Sequence, residues 1–219
     1  MSLQTLTDYY KKRAREYEKM YSRSGSIRKM EQVEIAEKIK EVFADKNVLE
    51  IACGTGYWTQ FVSETAKSIT ATDYVQEVID IAKTKKYKCP VAFAREDAYD
   101  LSFKDNTFSG GLANLWISHI TKDNLKQFLK GFHRVLQKGT VVFFADNIYA
   151  PGVGGKLITK PDDENTYKIR SLSDGSLNEV LKNYFTEKEL RKLFNQYAKK
   201  NSLNVFYGKC FWYVTYVKK

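Results

Sequence analysis

Proline, cysteine and histidine are scarce in this chain, with three, three and two among 219 residues. So few prolines leave long segments free to form helices and strands. Cys53, Cys89 and Cys210 are odd in number and lack paired spacing. They fit a reducing, cytoplasmic setting better than a disulfide framework. His119 and His133 belong to no Cys/His cluster, so no metal site is expected. No apolar run reaches the roughly 18 residues of a membrane span, so no membrane partner is expected. The opening stretch MSLQTLTDYYKKRAREYEKMY is charged and lacks the apolar centre of a signal peptide.

What is present suits a single domain with its own core: 43% hydrophobic and 14% aromatic residues. The formal net charge of +10 is uneven. Residues 151–219 hold 13 Lys and Arg against 7 Asp and Glu, whereas 47–150 are nearly balanced at 12 against 11. An excess of this kind can draw in nucleic acid, an anionic membrane or a small acid, or serve solubility alone.

Apolar spacing predicts helices over 8–22 and 27–43, with Asp8 and Ser26 as candidate caps. From 47 to 146 strand and helix then alternate: NVLEIA, YWTQFVSETA, SITATD, VQEVIDIAKTKK, VAFARED, FSGGLANLW, KDNLKQFLKGFHRVL and GTVVFFAD. Such alternation predicts a doubly wound, mostly parallel α/β sheet with helices on both faces. Beyond 150 the pattern changes. APGVGG reads as a flexible connection, and 165–185 as an irregular or hairpin insertion turning at Asp174-Gly175. A helix is expected over 186–199. Strands near 203–207 and 211–217 are joined so closely that they should be antiparallel.

VLEIACGTGYWTQFV, residues 48–62, places Gly54 and Gly56 directly after a strand. A loop that bare lets a ligand approach the backbone, at the sheet edge where doubly wound folds bind ligands. Asp73 ends the second strand, where a carboxylate can accept both hydroxyls of a ribose. The third glycine of a dinucleotide fingerprint is missing, since Thr59 stands there.

The ordered set of Glu50 to Gly56, Asp73, REDAYDL and LANLWISHI resembles the class I S-adenosylmethionine-dependent methyltransferases. That resemblance implies a Rossmann-like, seven-stranded sheet with an antiparallel C-terminal hairpin and an N-terminal helical lid (1–46). The lid would precede a cofactor-binding core (47–150), followed by a substrate insertion and closing strands (151–219). The implied cofactor is S-adenosylmethionine, with S-adenosylhomocysteine as product. Ala52, where the family often has glycine, and Gly54 would line its methionine part, with Trp58 and Thr59 near the carboxylate. Tyr74 and Val75 would pack on the adenine, Asp97 and Ala98 would meet its amino edge, and Asn114 would begin the segment under the sulfonium. The Tyr10, Ala14, Tyr17 pattern is similar to a helix that closes over the cofactor in many small-molecule members. It puts Tyr10 and Arg15 near the methionine carboxylate.

LEIACGTGYWT, LWISHI, RSLSDG and VLKNYFTEKEL together resemble a phosphonate O-methyltransferase, the enzyme type of dehydrophos biosynthesis. By that likeness Arg170 and Lys182 would bind an anionic substrate, with His119 beside them and Tyr21 as the N-terminal tyrosine. His119 could be a general base, a donor to the anion or a core histidine. The expected reaction is O-methylation of a small anionic metabolite, a phosphonate or carboxylate, by a monomer or homodimer. The alternatives are small-molecule N-methylation, RNA methylation and a non-catalytic cofactor-binding partner. Against nucleic acid, no Asn/Asp-Pro-Pro-aromatic sequence follows the fourth strand, and no dense basic stripe is present.

Overall fold

The computed structural model describes residues 3–21 and 25–219, with the side chains of 3–6, 19 and 20 left aside. The strands β1 (Asn47–Ile51), β2 (Ser68–Asp73), β3 (Val91–Arg95), β4 (Phe108–Asn114) and β5 (Leu136–Asn147) run parallel. β6 (Leu157–Lys160), β7 (Asp163–Ser171) and β8 (Leu177–Leu181) follow, then β9 (Asn204–Tyr207) and β10 (Phe211–Val217). The main sheet has the order β3-β2-β1-β4-β5-β10-β9, and β10 is antiparallel to both neighbours. This is the expected Rossmann-like sheet of seven strands with its closing hairpin. Strand order reverses between β1 and β4, so the cleft for a ligand lies at their carboxyl ends.

Helices α2 (Ser26–Phe43), α3 (Tyr57–Ser63) and α4 (Gln76–Lys83) precede α5 (Lys122–Val135) and α6 (Glu187–Asn195). Apolar residues on both faces of β1 are buried, as a sheet covered on both sides requires. One core holds Phe128, Phe132, Phe194 and Trp212, and the other holds Ile35, Ile39, Phe43 and Trp58. β4 lies tightly between the layers. A Cβ on Gly110 would come within 2.9 Å of Phe43, and one on Gly111 within 2.6 Å of Leu136.

The N-terminal helix α1 spans Leu3–Arg13 and continues as a 3-10 helix over Ala14–Met20. The expected cap Asp8 therefore lies inside α1. The helix extends upstream because it docks on β8 and α4, with Tyr9 packed against Leu172 and Val180, and tertiary contact outweighs a local cap signal. Residue 22, the expected end of that helix, lies outside the described residues. Gly25, not Ser26, is the cap position of α2.

The region after 150 is more ordered than its sequence suggests. β6, β7 and β8 form a separate antiparallel sheet, and the β7–β8 hairpin turns at Asp174-Gly175 as expected, with Gly175 at φ +79°. This sheet docks on the first one through Asn183. Its backbone N–H donates to Ser118 O at 2.8 Å, and its amide donates to Ile120 O at 2.9 Å. That contact carries Arg170 and Lys182 to the ends of β4 and β5.

Candidate functional site

Two adjoining cavities open at the carboxyl ends of the parallel strands. The first lies over the loop between β1 and α3. Cys53 N–H donates to Thr72 O at 2.9 Å, which ties the loop to β2, and Gly54 turns through φ +56°. Ala52 is also left-handed at φ +54°. The turn therefore suits glycine there, and alanine costs about 1 kcal/mol of strain rather than being a neutral replacement.

Asp73 Oδ2 accepts from Gly54 N–H and Oδ1 from Val75 N–H, both at 2.9 Å. Each oxygen keeps a second acceptor lobe, so a diol can still bind. Burial pushes the Asp73 carboxyl up, against the pull of those N–H groups. Asp97 Oδ1 accepts from Tyr99 N–H at 2.9 Å. Asn114 is 94% buried in the cavity wall, and both ends of its amide lack a partner among the described residues. A buried orphan amide is costly unless a ligand meets it.

Tyr10, Ala52, Gly54, Asp73, Tyr74, Val75, Asp97, Ala98 and Asn114 thus converge on one cleft. They fit a nucleoside joined to a polar tail: a bare backbone, a diol acceptor, an aromatic wall and an unpaired amide. Arg15, Trp58 and Thr59 do not reach that wall. Arg15 is exposed. Trp58 packs in the core edge-on to Tyr21 at 5.9 Å, and Thr59 is fully buried. Burial pushes the neighbouring Glu50 carboxyl up to about 8, and Asp73 adds to the shift.

The second cavity, about 530 Å³, shares Tyr10, Tyr17, Leu115 and His119 with the first. Arg170 and Lys182 reach it. Tyr21 does not; it is 7% exposed and stacks on Tyr57 at 3.6 Å. Lys182 arrives already compensated, since its Nζ donates to Asp146 at 3.0 Å and to Ser118 Oγ at 2.5 Å. Arg170 has no carboxylate partner among the described residues. Arg13, absent from the sequence-based candidates, faces the same cavity, donates to Tyr9 Oη at 2.6 Å and lies over the Tyr17 ring. The signal was there: Arg13 shares a helical face with Tyr10 and Tyr17, whereas Arg15 points away. No sequence signal linked Asp146 to Lys182, 36 residues apart.

His119 stands at the junction of the cavities. Its Nδ1 is 2.8 Å from Leu181 O, an acceptor only, so Nδ1 carries the proton and donates. Nε2 then accepts from Tyr10 Oη at 2.9 Å. Burial, with Lys182 nearby, pushes the imidazole well below its ordinary 6.5 and keeps it neutral. Burial likewise raises the Tyr10 phenol, so its proton stays in place. His133 has the same arrangement in the core, between Leu129 O and Tyr216 Oη, and burial holds it at about 4. The likeness shows that this tautomer alone does not mark a catalytic histidine.

A tether joins the 3-10 helix Ala14–Met20 to the glycine loop. Thr55 Oγ1 donates to Glu18 Oε1 at 2.6 Å, and Lys85 pairs with the same carboxylate.

A family model described as a methyltransferase domain matches residues 48–139. The malonyl-[acyl-carrier protein] O-methyltransferase of Hamiltonella defensa is 28% identical over 57% of this chain; the match spans 46% of that protein, so the chain corresponds to about half its length. The demethylmenaquinone methyltransferase of Staphylococcus aureus (strain MRSA252) is 27% identical over 77% of this chain and 79% of its own. Among solved structures, the DhpI–SAH complex is 25% identical, covers 97% of this chain and 94% of that one, and superposes with a TM-score of 0.75. The PH0226 protein of Pyrococcus horikoshii OT3, 20% identical at a TM-score of 0.72, shares the fold.

Proposed function

Because the chain carries a class I S-adenosylmethionine-dependent methyltransferase domain, we propose that it methylates an ionised oxygen of a small acid, a phosphonate or carboxylate. One observation carries this reading. The second cavity is lined by Arg13, Arg28, Arg170 and Lys182, and by no carboxylate among the described residues. Arginine in such a site can hold a planar or tetrahedral anion through two parallel hydrogen bonds. The relatives named for malonyl-[acyl-carrier protein] O-methyl transfer also take an oxygen acceptor.

S-adenosylmethionine, when bound, supplies a methyl group already activated on a sulfonium. Asp73 would hold its ribose, Asp97 its adenine and Asn114 its polar tail. What remains for the protein is alignment and a dry site. Arg170 and Arg13 would orient the acceptor oxygen towards the junction of the two cavities. An acidic oxygen is ionised at neutral pH and needs no base.

His119 has its N–H committed to Leu181 and its lone pair to Tyr10. This supports a positioning role, in which His119 fixes the Tyr10 phenol at the junction. His119→Asn is then expected to lower turnover by less than about tenfold, against the 10²–10⁴ of a general base. A loss on the larger scale with acceptor affinity intact, measured by steady-state kinetics, would assign proton transfer to His119.

That Tyr10–His119 hydrogen bond also favours a second reading. A hydroxyl or amine acceptor would have to pass a proton to Tyr10 as Tyr10 passes its own to His119, a relay that burial of both groups opposes. The cations of the cavity oppose an ammonium acceptor. A screen of small phosphonates, carboxylates and amines with methyl-labelled cofactor separates the readings. Label on the acids supports the first; label confined to amines rejects it.

A further inference from the structure

Lys168 is the one lysine with its whole side chain enclosed that has no carboxylate beside it among the described residues. It is 1% exposed. Its Nζ donates to the carbonyl of Val153 at 2.6 Å and lies over the rings of Tyr149 and Tyr184, at 5.3 and 5.6 Å. Burial pushes this ammonium down, and the nearby cations Arg170 and Lys182 add to the effect. A charge enclosed among like charges is a standing cost unless it is put to use.

The carbonyl it grips belongs to the glycine-rich segment 150–155. That segment is a wall of the acceptor cavity, which Ala150, Val153 and Gly154 all line. Gly154 sits at φ +70° against the Arg170 guanidinium, where a Cβ would come within 2.1 Å of Nη1. Lys168 and Arg170 are two residues apart on β7 and so share a face. One holds the wall; the other presents the anion-binding group beneath it.

We propose that Lys168 is a positioning residue that sets acceptor specificity: its ammonium latches the glycine wall so that Gly154 fixes the Arg170 guanidinium, and its own uncompensated charge favours an acidic acceptor. The inference deepens the reading of the cavity given above and rests on it.

The test is calorimetric titration of methylphosphonate and of inorganic sulfate into the SAH-loaded full chain. Lys168→Met keeps the length of the side chain and removes the charge and the donor. It is expected to weaken methylphosphonate binding at least about tenfold while SAH affinity stays within about twofold. Lys168→Arg, which keeps both charge and donor, is expected to recover most of that loss. Gly154→Ala, with Lys168 in place, is expected to weaken the anion to a similar degree because the added Cβ displaces Arg170. Unchanged methylphosphonate affinity in Lys168→Met would overturn the proposal. So would parallel losses of SAH and anion, which would mark Lys168 as merely structural. If Lys168→Met does not fold, unchanged anion affinity in Gly154→Ala overturns it. Wild type that binds SAH but neither anion rejects the acceptor reading itself, and this inference with it.

Discussion

Asp73→Ala is expected to weaken binding of S-adenosylmethionine and of its demethylated product on the order of 100-fold, about 3 kcal/mol. The carboxylate is pinned by Gly54 N–H and Val75 N–H, each at 2.9 Å, and in the proposed site its remaining lobes would meet the ribose hydroxyls. Alanine removes two charge-assisted acceptors at once. It also frees the Gly54 amide, so part of the loss comes from a looser glycine loop. Asp73→Asn separates the two contributions. One amide oxygen can still accept, but the amide nitrogen faces an N–H donor, so an intermediate loss is expected. Calorimetry reads the affinity, and a thermal melt checks that the fold is intact. An affinity within threefold of wild type would remove Asp73 from the cofactor site.

Much of this cleft was legible beforehand because its parts are local. Gly54 and Gly56 follow a strand, and Asp73 ends the next. Strand–helix alternation alone puts those positions at one edge of a parallel sheet. Trp58 and Thr59 failed to reach the cleft for an equally physical reason. They begin α3, whose inner face packs on the core, and sequence adjacency to the loop does not fix which way a side chain points. Arg15 was a choice of the wrong helical face, with Arg13 two residues back on the face of Tyr10 and Tyr17. The second, cationic cavity was harder. Arg170 and Lys182 came from a resemblance, and the docking of the β6–β8 sheet, which no periodicity announced, sets Lys182 on Ser118 and Asp146 of the main unit. In the fold, Asp146 is the counter-ion of Lys182.

Arg170→Ala is the second large effect. It is expected to lower kcat/KM for the acceptor on the order of 100-fold, about 3 kcal/mol, with cofactor affinity within twofold of wild type. Arg170 is the cleaner probe of the two cations named from sequence. Removing Lys182 would bury Asp146 without its partner and cost stability as well as function. Arg170→Lys is expected to restore only part of the activity, since a point charge cannot reproduce a two-pronged grip. If Arg170→Ala instead abolishes cofactor binding, the two cavities do not divide donor from acceptor.

The division into a cofactor cleft and a separate cationic acceptor cavity is tested most directly by the pattern of inhibition by inorganic sulfate, measured against each substrate in turn. Sulfate is expected to compete with the acidic acceptor and not with S-adenosylmethionine. Sulfate that competes with the cofactor, or fails to inhibit at concentrations saturating for an anion site, would contradict it.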